Sequence, residues 1–282
     1  MSVIGAIVCE RDVIRVSGSQ SVEYLQGQIS QDVEAVQVAT SAWSLVLQPT
    51  GKVETWLRLH RIASDEFVLD VDAGHGEAAI ARLDRFRMRS DVSFTAEPGW
   101  SMVSVRGPDA AAHAVDAELS AEVTWPGFEG VDHLGPGVMI PEGVPVLDDA
   151  EYETLRIAAG WPKLGAELTL DTIPAEGGAA LLASSVSFTK GCYTGQELVA
   201  RIESRGGNVP RPIRVLVGPP GAVLTVGASV EFDGAEVGRV TSAVGGRSEE
   251  RGLALASVLR KVEPGTDVTV GETTATVRLA PV

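Results

Sequence analysis

One stretch decides how this chain folds: Lys190-Gly-Cys-Tyr-Thr-Gly-Gln-Glu-Leu-Val-Ala-Arg201. It contains Cys192, one of only two cysteines among 282 residues. Thr194 and Glu197 have the three-residue spacing of a capping box, which predicts the start of a helix. Cys192 would lie just outside that start, where the helix dipole and the nearby Lys190 favour the thiolate. The pattern therefore predicts a reactive thiol, with a small buried apolar side chain as the alternative.

The stretch resembles the signature of the YgfZ-type folate-binding proteins, relatives of the glycine-cleavage T-protein (GcvT, an aminomethyltransferase) that support iron–sulfur enzymes. Other segments carry the same resemblance across most of the chain and in the family's order: 24–33, 48–52, 57–59, 156–162 and 173–176. The resemblance implies an α+β fold in which N-terminal mixed α/β subdomains precede a small C-terminal β-barrel. We expect the folate-binding region to span residues 1–207 and the barrel to span residues 212–282.

Hydrophobic periodicity is consistent with that organisation. It predicts helices at 19–29, 76–88, 107–119 and 151–159, and strands at 12–16, 43–47, 53–60, 66–71 and 100–105. Pro49 and Gly51 predict a type II turn between the strands at 43–47 and 53–60. The second helix is expected to bury Phe86 and to expose its arginines. After Pro212, short β-type runs separated by Gly-rich turns predict the five or six strands of a barrel, with a hairpin turn at Asp233-Gly234.

Composition limits the kinds of partner. The chain carries 23 Lys+Arg and 38 Asp+Glu, and this formal net charge of −15 opposes attraction to nucleic acid or to an anionic membrane. From Ser187 to Arg214, however, five basic residues outnumber two acidic ones, an excess of +3. Such a segment would attract an anionic small molecule, for example the glutamate carboxylates of a folate. The alternative is a solvated, salt-bridged helix face.

The sequence has neither a long apolar run nor an apolar leader at its start. We therefore expect a cytoplasmic protein with reduced cysteines. Neither a Walker-type Gly-x4-Gly-Lys-[Ser/Thr] loop nor Gly-x-Gly-x-x-Gly is present, which argues against nucleotide binding. The four histidines lack zinc-ligand spacing, and two cysteines cannot supply the four thiolates of an iron–sulfur cluster. We expect no metal bound by this chain alone.

The resemblance implies that tetrahydrofolate or a derivative binds near Cys192, the candidate catalytic residue. A thiol in this place can attack a one-carbon adduct or a damaged sulfur species. Arg201 and Arg205, four residues apart, are expected to present their guanidinium groups from one helix face. The implied partners are the folate and iron–sulfur proteins or their assembly factors. The candidate folate-binding residues are Lys190, Gln196, Glu197, Arg201, Arg205, Glu176, Tyr24 and Lys52.

Two other functions stay open. The T-protein enzymes carry an aspartate pair where this chain has Thr55 and Trp56, so a folate-dependent aminomethyltransferase would need Glu54 in that role. A shift of one residue along a strand reverses the face, which argues against this replacement. Those enzymes also carry a carboxylate where this chain has Ala158, and Glu176 is a candidate substitute. The other alternative is a scaffold that binds no folate and keeps its thiol buried.

Overall fold

The structure, a computed structural model, describes residues 4–246 and 250–281. These residues form two compact units. Unit 1 consists of the described residues up to Thr124, Phe128–Leu147 and Ala183–Ala200; unit 2 consists of Trp125–Gly127, Asp148–Leu182 and the described residues from Arg201 onward. The domain division at 207 and 212 expected from the sequence stays a prediction.

The described residues contain five α-helices and fourteen β-strands. The helices are α1 (Ser21–Gln28), α2 (Gly76–Asp84), α3 (Asp149–Ala158), α4 (Ala179–Ser185) and α5 (Gln196–Glu203), with 3-10 turns at Ala110–Ala112 and Pro174–Gly177. The first eight strands are β1 (Gly5–Ser17), β2 (Thr40–Leu47), β3 (Val53–Arg61), β4 (Phe67–Asp72), β5 (Ser93–Ala96), β6 (Trp100–Arg106), β7 (Leu119–Glu122) and β8 (Gly130–Pro136). The others are β9 (Ile213–Pro220), β10 (Ser229–Phe232), β11 (Ala235–Val244), β12 (Arg251–Val258), β13 (Asp267–Val270) and β14 (Thr273–Arg278). No helix in this described part of the chain is both long and apolar enough to cross a membrane.

The eight strands of unit 1 form one antiparallel sheet in the order β2-β3-β4-β1-β6-β8-β7, with β5 paired to β1. Because the sheet curls into a half-barrel, Arg58 on β3 reaches Asp132 on β8 although three strands lie between them. Strands β2 and β7 remain the two edges. On β3 and β4, Leu57, Leu59 and Val71 are fully buried, and each such side chain contributes about 1.5–3 kcal/mol through its burial.

Six strands of unit 2 close into an antiparallel barrel in the order β10-β11-β12-β9-β14-β13, with β13 returning to β10. The turn between β10 and β11 has positive φ at Asp233 (52°) and Gly234 (74°), as a type I′ hairpin requires. Asp and Gly tolerate this conformation, so the turn predicted by sequence forms. The expected α+β class with a C-terminal barrel is confirmed.

Helix α3 belongs to the barrel's apolar core. Ile157 of α3 forms one buried cluster with Ile213, Val215 and Leu255 of the barrel strands. The segment after α3 is held by Glu167, whose side chain is fully buried. It accepts hydrogen bonds from Nη1 of Arg156 (3.1 Å) and from the hydroxyl of Ser242 on β11 (2.7 Å). Unit 2 therefore buries both apolar and charged groups between segments distant in sequence.

The helix predicted at 107–119 is wrong. Only the 3-10 turn Ala110–Ala112 forms there, and strand β7 starts at Leu119. Val115 and Ala117 pack against an apolar cluster of the half-barrel, and their alternate spacing is that of an extended chain. Burial of these positions therefore outweighs the helix propensity of the alanine-rich run.

The second helix also differs from its prediction, since α2 ends at Asp84. Phe86 is 40% exposed, whereas Arg82 is 3% exposed, the reverse of the expected burial. Arg82 turns inward because its Nε donates to Glu54 and its Nη2 donates to the carbonyl of Leu47, each at 2.8 Å. Its guanidinium then lies 4.6 Å from the Phe86 ring centroid. Hydrogen-bond acceptors on β2 and β3, which periodicity cannot reveal, explain the error.

The turn at Pro49 is not of type II. The N–H of Gly51 donates to the carbonyl of Gln48 (2.8 Å), so Pro49 and Thr50 are the corner residues. The positive φ (83°) falls on Gly51, after the corners, and the N–H of Gln48 bonds the carbonyl of Lys52 (2.9 Å). This is the three-residue hairpin loop in which glycine takes the left-handed position.

Candidate functional site

The side chain of Cys192 is exposed on a segment that we name the cysteine loop, residues 187–195. The alternative of a buried apolar cysteine is therefore wrong. Gly191 is also exposed, and a Cβ added to it would meet nothing within 4 Å. Phe188 is 50% exposed on the same loop, whereas Tyr193 is buried. The loop thus exposes Gly191 and the thiol of Cys192. We name the anchored residues on either side of them, Lys190, Tyr193 and Thr194, the base of the loop.

Lys190 fixes one side of that base. Its ammonium donates to the backbone carbonyls of Gln26 (2.7 Å), Ile29 (2.8 Å) and Gln31 (2.8 Å). An ammonium has three N–H donors, so these three bonds use all of them. Burial lowers the pKa of Lys190 to about 8, against the opposing effect of two nearby carboxylates, so the ammonium form predominates at neutral pH. The charge of Lys190 is therefore turned toward the protein.

The other side of the base is fixed by backbone bonds around Tyr193. The N–H of Thr194 donates to the carbonyl of Gly27 (3.1 Å), and the N–H of Tyr193 donates to Oε1 of Gln196 (3.1 Å). The Tyr193 ring lies 5.1 Å from the ammonium of Lys190, a cation–π contact. Burial raises the pKa of Tyr193 to about 12, so its hydroxyl stays protonated. Both flanks of the thiol are thereby anchored.

The predicted capping box of Thr194 and Glu197 does not form. Helix α5 starts at Gln196, and Gly195 before it has a left-handed φ of 82°. A Cβ at Gly195 would lie 2.5 Å from the carbonyl of Gln48, so only glycine fits this close approach. The left-handed residue separates Thr194 from the helix, the N–H of Thr194 donates to the carbonyl of Gly27, and the Gln196 side chain accepts from the N–H of Tyr193.

A cavity of about 500 Å³ opens at edges β2 and β7 of the half-barrel, within the usual size range of small-molecule pockets. Trp43 supplies an aromatic face and stacks on Trp56 with ring centroids 4.4 Å apart. The guanidinium of Arg58 lies 5.1 Å from the Trp43 centroid. The polar side chains of the remaining lining are Thr40, Ser41, Ser120, Glu122, Thr124 and Ser184.

Gln31 connects the cavity wall with the cysteine loop. Its Nε2 donates to the carbonyls of Trp43 (3.4 Å) and Ser184 (3.0 Å), and both residues line the cavity. Its own carbonyl accepts one of the three bonds from Lys190. Gln31 therefore hydrogen-bonds both to residues of the cavity wall and to Lys190 of the cysteine loop.

Arg58 is held in place by a buried charge network. Asp70 accepts from Nε of Arg58 (2.9 Å) and is hydrogen-bonded to Nε2 of His60 (2.6 Å). Asp132 accepts from Nη1 of Arg58 (2.9 Å) and from Nη1 of Arg106 (2.8 Å). Burial alone would raise the pKa of both carboxyls, but the arginine charges hold the pKa of Asp70 and of Asp132 below the usual range. Burial lowers the pKa of His60, which is therefore neutral at pH 7.

Sequence reasoning missed this network. The available signal was a pair of polar residues alternating with leucines in Leu57-Arg-Leu-His60, together with Asp70 inside the apolar strand β4. Charged side chains inside a buried strand require buried partners of opposite charge. The partner Asp132 lies 74 residues after Arg58 in the sequence, so no local pattern identifies it.

Two residues predicted to bind folate use their polar groups within the chain. The hydroxyl of Tyr24 donates to the carbonyl of Leu83, and Oε2 of Glu176 accepts from the backbone N–H of Ile173 (3.1 Å). Lys52 is half-buried in the hairpin loop between β2 and β3. Folate binding by these residues stays a prediction.

The structure brings Cys192, Lys190 and Gln196 together in the cysteine loop and its helix start, with Glu197 exposed on α5. Arg201 is exposed on α5, but Arg205 follows the end of the helix, and its N–H donates to the carbonyl of Ile202 (3.1 Å). The expectation that one helix face presents both guanidinium groups is therefore wrong. Glu176, Arg201 and Arg205 belong to unit 2 and the other candidates to unit 1.

The residues that bear on aminomethyl transfer are also engaged or buried. Glu54, the candidate substitute for the missing aspartate, is ion-paired with Arg82 at 2.8 Å. Thr55 is 3% exposed, and its hydroxyl has no hydrogen-bond partner within residues 4–246 and 250–281. Over the same ranges, no group of three or more His, Cys, Asp or Glu side chains is arranged to hold a metal ion.

No family model matches the chain. An uncharacterized protein from Haemophilus influenzae is 31% identical over 202 residues, which cover 70% of this chain and 67% of that protein. A mitochondrial iron–sulfur cluster assembly factor IBA57 homolog from Mycosarcoma maydis is 29% identical over 222 residues, covering 71% of this chain and 54% of the fungal protein. This chain therefore spans about half the length of that relative. The tRNA-modifying protein YgfZ from Yersinia enterocolitica is 26% identical over 262 residues, with 82% and 76% covered.

One solved structure is similar along nearly the whole chain. It is the crystal structure of glycine cleavage system aminomethyltransferase T from Bartonella henselae, with a TM-score of 0.79 and 21% identity. The similarity covers 98% of this chain and 85% of that chain. At this identity the comparison shows the fold, and the expected GcvT-like architecture is confirmed.

Proposed function

This chain belongs to the YgfZ-type family of the GcvT-like superfamily, and we propose that it is a tetrahydrofolate-binding accessory protein that supports the assembly or repair of iron–sulfur enzymes. Its reactive group is the thiol of Cys192. The observation that carries this proposal is the exposure of that thiol between two anchored neighbours, Lys190 and Tyr193. A nucleophile held in this way loses little conformational freedom when it meets a partner.

The names of the relatives suggest the kind of client. One is an iron–sulfur cluster assembly factor homolog, and another is a tRNA-modifying protein. The net charge of −15 opposes direct binding of tRNA by this chain. We therefore propose that its partners are cytoplasmic iron–sulfur proteins, and that any effect on tRNA modification passes through a modifying enzyme. The exposed Phe188 gives such a protein partner an apolar contact on the cysteine loop.

Two cysteines of different exposure give a matched test of the thiol. Cells that lack the chain are supplied with the Cys192→Ala or the Cys9→Ala variant, and the activity of iron–sulfur enzymes is measured. Cys192→Ala is expected to restore no activity while folding normally, because an exposed side chain contributes little to packing. Cys9→Ala, which removes a partly buried thiol, is expected to restore it. Equal restoration by both variants would exclude the role of the thiol.

Folate binding is tested on the purified full chain by calorimetry with tetrahydrofolate and folinic acid. Binding of either ligand is expected to slow alkylation of Cys192, since the ligand is proposed to lie beside the thiol. Absence of heat and of protection with both ligands would remove folate from the proposal.

The second candidate function, folate-dependent aminomethyl transfer, depends on Glu54. The ion pair of that carboxylate with the buried Arg82 weakens this candidate, because proton transfer would require breaking the pair. Transfer of a labelled one-carbon unit to tetrahydrofolate by the purified chain would favour the transferase over the accessory protein. We expect no turnover.

A further inference from the structure

The base of the cysteine loop is held by a cation that comes from far away in the sequence. Helix α1 has no basic residue in its last turn, and the last carbonyls of any helix lack donors within the helix. Lys190 donates to the carbonyl of Gln26 in the last turn of α1, and also to those of the C-cap Ile29 and of Gln31 just beyond it, 159 to 164 residues earlier in the chain. A positive charge at this end also complements the negative pole of the helix dipole.

We propose that Lys190 is the positioning residue of the Cys192 thiol: its ammonium clamps the cysteine loop to the end of α1 and is not itself a folate-binding or thiol-activating group. The inference rests on the proposed function only in taking Cys192 as the reactive group. It replaces the role that sequence resemblance implies for Lys190.

The contacts of the Lys190 ammonium support this role. The three acceptors lie 2.7–2.8 Å from one nitrogen, within the range of strong charge-assisted hydrogen bonds. No N–H of the ammonium is left for a ligand carboxylate or for the thiol. The same nitrogen lies 5.1 Å from the ring centroid of buried Tyr193, so it joins the two anchors on either side of Cys192.

A guanidinium does not replace this clamp. Its five donors lie in one plane and are spread over three nitrogens, whereas the three carbonyls converge on a single point. Lys190→Arg therefore keeps the charge and loses the bonding pattern. Lys190→Met keeps the approximate length of the side chain and loses both.

The test uses the full chain with Cys9 replaced by alanine, so that Cys192 is the single thiol. Two quantities are measured: hydrogen exchange of the Thr194 amide, which donates to Gly27, and the pH midpoint of Cys192 alkylation. Lys190→Met and Lys190→Arg are both expected to speed exchange at Thr194 by about tenfold or more, because the base opens more often. Neither is expected to move the alkylation midpoint. Lys261→Met, at an exposed lysine of unit 2, is the control and is expected to change neither quantity.

Three results would overturn the inference. Unchanged exchange in Lys190→Met means that the ammonium does not hold the loop. A raised alkylation midpoint with unchanged exchange assigns Lys190 to activation of the thiol. Normal exchange in Lys190→Arg, together with fast exchange in Lys190→Met, means that charge suffices without the three-bond geometry.

If Lys190→Met does not fold, the three hydrogen bonds of Lys190 can be tested in the protein that retains this lysine. The sequence has four lysines, whose ammonium protons are resolved by nitrogen-edited NMR and assigned by replacing the other three. Protons of Lys190 are expected to exchange with water at least about tenfold more slowly than those of Lys261. Equal rates would refute the clamp. Neither measurement involves folate or a client protein, so failure here leaves the complementation result for Cys192 unaffected.

Discussion

Replacing Asp132 with asparagine is expected to destabilise unit 1 strongly. Asp132 is 5% exposed and accepts hydrogen bonds from Arg58, Arg106 and the hydroxyl of Ser104. Asparagine preserves the shape of the side chain but presents an N–H₂ donor in place of one acceptor oxygen. Either Arg58 or Arg106 then faces a donor, and two buried guanidinium groups lose the negative charge between them.

The magnitude follows from the environment. Removing one partner of a buried ion pair costs about 3–5 kcal/mol, because the charge that remains is buried without compensation. For a protein of this size, 1 kcal/mol corresponds to a shift of about 2–4 °C in Tm, so the expected loss is roughly 6–20 °C. Asp84→Asn is the control: its carboxylate is 50% exposed and pairs with Arg87 on the surface, where a pair contributes about 0–1 kcal/mol.

Calorimetry of both variants at pH 7 tests the prediction, and repetition at lower pH tests its electrostatic cause. A carboxyl whose folded pKa is lowered stabilises the protein above its unfolded pKa of about 3.9, and this contribution is lost as pH falls through the folded pKa. The gap between the unaltered protein and Asp132→Asn is therefore expected to narrow below about pH 4. A Tm within about 2 °C of the unaltered protein at pH 7, or a gap that does not depend on pH, would refute the reasoning.

Two further substitutions test individual contacts within unit 1, one in the cysteine loop and one behind the cavity. Gly195→Ala is expected to destabilise unit 1 by at least about 1–2 kcal/mol, since alanine is strained at φ 82° and its Cβ would meet the carbonyl of Gln48. Gly191→Ala, in open space, is the control, and equal chemical denaturation midpoints for the two would contradict the geometry. Ser185→Ala removes the acceptor that lies 2.9 Å from Nε1 of buried Trp56 and is expected to cost about 1–3 kcal/mol, with a changed tryptophan fluorescence spectrum. An unchanged denaturation midpoint and spectrum would show that this bond contributes nothing.

The sequence predicts features that depend on neighbouring residues. The hairpin at Asp233 and Gly234 forms because both residues tolerate the positive φ that the turn requires. Gly160, which directly follows the C-cap of α3 at Ala159, has a φ of 66° and follows the same rule. Alternating apolar residues likewise predicted the barrel strands, because each strand buries one face. Local chemistry suffices for these elements.

Features that depend on distant partners escaped prediction. Lys190 was expected to face a ligand, yet its three acceptors lie near residue 29, and no local pattern relates the two segments. The burial of Arg82 depends likewise on acceptors contributed by Glu54 and Leu47. Most of residues 107–119 are not helical, because Val115 and Ala117 pack against an apolar cluster of the half-barrel in an extended conformation. The motif thus identified Cys192, whereas the anchoring of its loop required tertiary structure.

The cluster that Ile157 forms with Leu255 has a consequence for synthesis on the ribosome. All segments of unit 1 exist once Ala200 has been translated. Helix α3 can bury Ile157 against Leu255 only after strand β12, which ends at Val258, has also been translated. At 5–20 residues per second this interval lasts about 3–12 s. During it the apolar face of α3 is uncovered while the thiol-bearing half of the nascent chain can already fold. Nascent-chain aggregation and chaperone capture are therefore expected to concentrate on the segment 148–182.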